Sequence, residues 1–217
     1  MKRREFSIHL VGSGLALATL AGGTGLALAQ GNPVEGKDYV RLAQPAPSSA
    51  PPGKIEVIEF FWYGSPHCMA FEPLVDAWRR KLPADVAFHR VPVVFRPQHT
   101  AHAKIFFLLD ALGKVDALHR RVFDAIDVEH RQLETAQQVK TFMNENGVDG
   151  AKVVDEFNSF AIQTKLRQAG QLQEAYKIDS LPALGIQGRY HTGSSLAGSN
   201  ERALQVAEYL IQRARSS

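Results

Sequence analysis

A second cysteine is missing from this sequence: Cys68 is the only one in 217 residues. An internal disulfide is therefore excluded, and any disulfide must be made with another molecule. Charge of one sign is also scarce. Lysine plus arginine number 25 against 22 acidic residues, and Lys2, Arg3 and Arg4 against Glu5 supply most of the excess. That balance gives no reason to expect a nucleic-acid or anionic-membrane partner. Low-complexity tracts and internal repeats are absent. His99 and His102 stand three apart with no cysteine or acidic cluster beside them. No metal site is expected there, and the pair reads as a solvated helix face. Hydrophobic residues make up 45% and charged residues 22%, which points to a soluble globular protein with a core rather than a disordered chain.

The first residues stand apart from that core. Lys2-Arg3-Arg4 is a basic start, Leu10 to Leu28 is apolar and small, and Ala27-Leu28-Ala29 supplies a small-x-small cleavage site. No stop-transfer pattern follows, so residues 1–29 read as a signal peptide cut after Ala29 rather than a membrane anchor. The mature chain is then exported and not membrane-embedded. Arg3-Arg4-Glu5-Phe6 resembles part of a twin-arginine signal but lacks the Ser or Thr before the arginines, so Sec and Tat export both stay open.

In the mature chain, residues 37–42 form a candidate edge strand, and the segment from Gln44 to Gly53, with four prolines, is a loop. Ile55 to Tyr63 is the clearest strand; both of its alternating faces are mostly apolar, which implies a central strand covered on both sides. Glu59 then sits in the middle of an apolar face, where desolvation raises its pKa. A helix follows, with Pro66 in its first turn, Phe71, Leu74, Val75 and Trp78 at helical spacing, and Pro73 expected to kink it. Val86 to Phe95 is the next strand, giving a β-α-β unit with parallel pairing. From Gln98 to about Tyr176 the pattern is helical throughout, with Gly113 and Gly147 at helix ends. Two short strands, Ala183 to Ile186 and Arg189 to Thr192, flank a Gln187-Gly188 turn, and Glu201 to Arg213 is a final amphipathic helix.

This order of elements resembles a thioredoxin fold with an inserted all-helical domain. The α/β part would comprise residues 30–97 and 177–217, and the insert residues 98–176. The segment EFFWYGSPHCMAFEP, from Glu59 to Pro73, is similar to the active-site segment of the DsbA family of periplasmic thiol:disulfide oxidoreductases. GKDYVRL, KLPADVAF and SLPALGIQGRY also look like family segments, in the right order, and the likeness covers nearly all of the mature chain. The family motif is Cys-Pro-His-Cys; this chain has Ser65-Pro66-His67-Cys68.

The resemblance implies a site. Ser65 takes the place of the attacking cysteine, Pro66 and His67 are the intervening pair, and Cys68 is the resolving cysteine. Glu59 matches a buried acid that accepts a proton near the second thiol; a carboxyl satisfied by water or backbone is the other reading. Pro182 matches a cis-proline beside the site, with Leu181 before it offering backbone to an extended peptide. A trans turn proline is the alternative. Trp62, Tyr63 and Met69 border the motif as core or as an apolar rim for clients. A serine hydroxyl at a helix N-terminus stays protonated near neutral pH and forms no S–S bond, so Ser65 reads as an N-cap outside disulfide exchange. Cys68 is either an inert buried thiol or a lone thiol able to form a mixed disulfide that nothing internal resolves.

The expected function is that of a periplasmic family member whose own dithiol oxidase turnover is absent or very weak. A peptide-binding, chaperone-like module and a monothiol enzyme working with glutathione are the alternatives. Expected partners are unfolded or cysteine-containing exported polypeptides, with glutathione or a membrane redox partner in addition. No cofactor is expected.

Overall fold

The computed structural model describes residues 31–216. The signal peptide and its cleavage after Ala29 fall outside these residues. Among the described residues no helix is long and apolar enough to cross a membrane.

Five strands make one mixed sheet in the order β1-β5-β4-β2-β3. They are β1 (Val40–Arg41), β2 (Ile55–Phe61), β3 (Val86–Pro92), β4 (Ala183–Ile186) and β5 (Tyr190–Gly193). β2 pairs in parallel with β3 and antiparallel with β4; β4 and β5 form an antiparallel hairpin, with β1 at its outer edge. Every residue of β2 is buried, as the apolar character of both its faces requires. Gln187 and Gly188 turn the hairpin with φ of 51° and 63°. Gly188 has no room for a side chain, because a Cβ would lie 2.4 Å from the Ala46 carbonyl oxygen.

Helix α1 (Pro66–Arg79) crosses from β2 to β3. On its face of the sheet it packs with α8 (Asn200–Arg215) around Val57, Phe71, Val75, Leu184 and Leu210. Between β3 and β4 lie α2 (Thr100–Ala111), α3 (Val115–Phe123), α4 (Ala136–Glu145), α5 (Ala151–Phe157) and α6 (Phe160–Ala175). Short α7 (Ser194–Ala197) precedes α8. One apolar core runs without interruption from Ile58, Phe60 and Phe61 of β2 to Phe123, Phe142 and Phe157 of these helices. Tyr176, just after α6, anchors them: its ring fills the space over Gly185, and its hydroxyl accepts the Gly188 N–H at 2.8 Å.

Several element ends differ from the sequence reading. β3 stops at Pro92 rather than Phe95, and β5 starts at Tyr190. Helix α1 runs unbroken through Pro73. The segment between β3 and β4 is not helical throughout: α3 ends in a π-helical turn, Asp124–Val128, and residues 130–134 belong to no helix or strand. Buried Leu133 draws that stretch into the core, and ion pairs Arg121–Glu129 and Arg131–Glu145, each 2.6 Å, hold its start. Gly147 closes α4 as expected, at φ 74°, with Val148 N–H donating to the Met143 carbonyl at 2.9 Å.

Candidate functional site

Chain direction builds the site. β2 ends at Phe61, and a turn through Trp62, Tyr63 and Gly64 starts α1 from the same end of the sheet. Trp62 folds over Gly64, where a Cβ would meet the indole at 2.4 Å. Ser65 is the N-cap: its backbone is extended, and its Oγ accepts the Cys68 N–H at 3.3 Å. Pro66 follows at N1, where a missing N–H costs nothing. Ser65 is buried, Pro66 and His67 are exposed, and Cys68 is fully buried.

Burial pushes the Cys68 thiol up to about 12; hydrogen bonding from Ser65 and the Trp62 backbone pulls the other way without offsetting it. The thiol is uncombined and sits in the same apolar core as Tyr63 and Ala183, with Met69 and Leu181 packed against that core. The Leu181–Pro182 peptide is cis. Ala183 lies opposite Phe60 in the sheet, so Leu181 and Pro182 enter at the end where α1 begins.

Glu59 has a partner that the sequence reading did not include. The Arg90 Nε donates to its Oε2 at 2.8 Å, while the buried Oε1 of Glu59 has no protein partner among the described residues. Arg90 stands directly across the β2–β3 ladder from Glu59, which puts both side chains on the α1 face. Its Nη2 reaches Glu72 Oε1 on α1 at 2.5 Å. Glu72 Oε2 meets His119 Nε2 at 3.2 Å, and His119 Nδ1 meets the Tyr63 hydroxyl at 2.8 Å. Burial holds His119 neutral, with its pKa pulled down to about 3. A neutral imidazole has one N–H; facing a carboxylate, Nε2 carries it, and Nδ1 accepts from Tyr63. Desolvation raises Glu59 to about 7, the Glu72 charge adds to the rise, and Arg90 opposes it. Glu72 is also raised, chiefly by burial.

Arg90, Glu72 and His119 carried no signal in the sequence. Their meeting depends on strand register, on the α1 face and on a residue of α3. The two histidines near the motif are also placed differently from the sequence reading. His99 is buried and stacks on Trp62 at 3.9 Å between ring centroids, and His102 lies on the same indole at 5.9 Å. Desolvation lowers both pKa values, His102 to about 4. Among the described residues no group of three or more His, Cys, Asp or Glu side chains is placed to hold a metal ion.

A mixed sheet whose parallel pair is joined by α1, with a cis-proline entering the sheet beside the start of that helix, defines a thioredoxin-like protein. The chain belongs to the DsbA-like thiol:disulfide interchange family: the model of the DSBA-like thioredoxin domain matches residues 56–205. It is 40% identical over 203 residues to the thiol:disulfide interchange protein DsbA of Pseudomonas aeruginosa, covering 94% of each chain. The DsbA of Burkholderia cepacia is 41% identical over 202 residues, covering 91% of this chain and 95% of the relative. The crystal structure of Pseudomonas aeruginosa DsbA superposes with a TM-score of 0.80 at 42% identity, over 83% of this chain and 94% of that one. The oxidoreductase DsbA from Xylella fastidiosa matches at 0.79 and 29% identity, over 85% and 99%.

Proposed function

We propose that this chain is an exported, periplasmic member of the family that engages cysteine-containing polypeptides yet performs no dithiol oxidation unaided. The observation that carries this reading is Ser65 at the N-cap of α1 with a single buried thiol at Cys68. Oxidising a client dithiol takes two electrons, which a dithiol site stores by breaking its own S–S bond and forming two thiols. One sulfur cannot form that bond with an alcohol oxygen. Ser65 satisfies a helix N–H and does no redox chemistry; His67, exposed beside it, has no low-pKa thiol to influence.

Burial of Cys68 and its weak acidity argue against monothiol work with glutathione, since the thiolate is the attacking species. The peptide-binding reading is favoured by the position of Leu181, just before β4 at the helix-bearing end of the sheet, where its backbone offers pairing to an extended client. Glu59, without an exchanging thiol to serve, acts as a structural member of the Arg90 cluster.

A stoichiometric assay tests this. The protein is treated with an oxidant, desalted, and mixed with a reduced dithiol peptide in the absence of glutathione. The native protein yields no cystine above a Cys68→Ser control. The Ser65→Cys protein, first closed to its internal disulfide, yields one peptide cystine per molecule as its own bond is reduced. Cystine formed by the native protein would overturn the reading.

A further inference from the structure

β3 is an edge strand, with β2 on one side and no strand on the other. Ile55 N–H donates to the Asp85 carbonyl and Val93 N–H to the Phe61 carbonyl, both at 2.8 Å, which fixes the phase of the ladder. Alternate residues of a strand turn their backbone groups to opposite edges, so Ala87, His89 and Val91 face β2. Phe88 and Arg90 present N–H and C=O outward, and no other described segment pairs with them. A groove of about 750 Å³ runs along this edge. Phe88, His89, Arg90 and Val91 all line it. Successive side chains point to opposite faces of a sheet, so four consecutive residues share one groove only if it follows the strand's edge. Opposite the edge stand Phe106 and Phe107 of α2 and Leu172 of α6.

Charge narrows the occupant. Arg79 lies 2.9 Å from Asp116, Lys165 lies 3.9 Å from Asp110, and Arg90 is held by Glu59 and Glu72. Desolvation keeps half-buried His89 on its neutral side. Each charged group lining the groove is thus matched by one of opposite sign, and a charged ligand would gain no partner while losing water. Unpaired strand groups beside an apolar wall suit one chemistry: an extended backbone whose side chains are uncharged and alternately apolar. The geometry points to β3 as a docking edge for such a segment of unfolded polypeptide, added as a sixth strand, and distinct from the Leu181–Pro182 side of the site. This goes beyond the exchange reading and does not depend on it.

The probe is an acetylated, amidated six-residue peptide alternating threonine and valine, titrated into the ¹⁵N-labelled protein. The Phe88 and Arg90 amide signals shift, and their hydrogen exchange slows at least tenfold at saturation. Methylating every peptide nitrogen of the probe weakens binding tenfold or more, because the strand bonds are lost while the side chains remain. Phe88→Pro removes one outward donor and weakens binding similarly; proline is tolerated on an edge. Three results would each overturn the proposal: no shift at ~1 mM peptide, shifts confined to Leu181 and Ala183, or an affinity indifferent to N-methylation. Dimerisation of the protein through β3 that the peptide fails to displace would give the edge to a second copy and likewise overturn it. The cystine assay of the Ser65→Cys protein reads none of these groups, so the two proposals fail separately.

Discussion

Position 65 carries a hydroxyl, and its Oγ accepts the N–H of Cys68 one helical turn later. Cys68 is a core residue, and burial makes its thiol an unusually weak acid. At pH 8 a thiol near 12 is about 10⁻⁴ ionised, against about a tenth for an ordinary cysteine, so iodoacetamide should react ~10³-fold more slowly with the native protein than with the same protein in guanidinium. Mass spectrometry of quenched samples measures both rates, and equal rates would show an accessible thiol. Glu59 carries the other residue-scale prediction. Its folded pKa of about 7 lies above the ordinary carboxyl value of 4.5, so the folded state binds the proton more tightly than the unfolded chain. Stability from this group is fully present below pH 4.5 and is lost as pH rises through about 7, a change on the order of 3 kcal/mol. Glu59→Gln keeps a hydrogen-bonding shape without the titration. Urea unfolding between pH 4.5 and 8 should show a flatter profile for this variant, with its advantage over the native protein greatest at pH 8. A variant that reproduces the native slope would place that titration elsewhere.

Among the elements, α1 is where the site and the fold share a residue. Ser65 caps its N-terminus, so Ser65→Ala should destabilise the protein by about 1 kcal/mol and Ser65→Gly by only a few tenths, read from urea midpoints. The β4–β5 hairpin offers a sharper test. Gly188→Ala meets both a left-handed backbone and the Ala46 carbonyl oxygen, and should cost more than about 1 kcal/mol. These elements were legible because their signals are local. Apolar alternation marks β2, Pro66 marks the start of α1, Gly147 ends α4, and Gln187-Gly188 turns the hairpin. The break after α3 was not legible. Residues 129–134, Glu-His-Arg-Gln-Leu-Glu, contain no glycine or proline, and His130 takes φ 54° without the residue type that usually marks such a position. What ends the helix is tertiary: Leu133 enters the core, and Arg131 N–H turns back to the Ala125 carbonyl at 2.9 Å.

On the scale of the whole molecule, a buried polar chain ties the helical segment to the sheet. It runs from Tyr63 through His119, Glu72 and Arg90 to Glu59, across residues separated by 18 to 56 positions in sequence. Distances of that kind leave no periodicity to read, and so the motif was recognisable while the groups behind it were not. Glu59 alone showed itself, as a charge inside an apolar strand. A low-dielectric network of this kind is costly to leave half-paired. His119 is its only member from α3, so it should couple the two regions more strongly than an apolar residue of its size. His119→Leu strands the Tyr63 hydroxyl and one Glu72 oxygen without water, and should destabilise by about 2–4 kcal/mol. Tyr63→Phe removes only the hydroxyl and should cost about 1 kcal/mol. Once His119 is gone, that hydroxyl is a liability, so the double variant should be more stable than the sum of the single losses by about 1 kcal/mol. Urea denaturation of the four proteins at pH 7 measures the cycle. Additive losses would mean that His119 fills space beside Phe61 and Phe123 and holds nothing together.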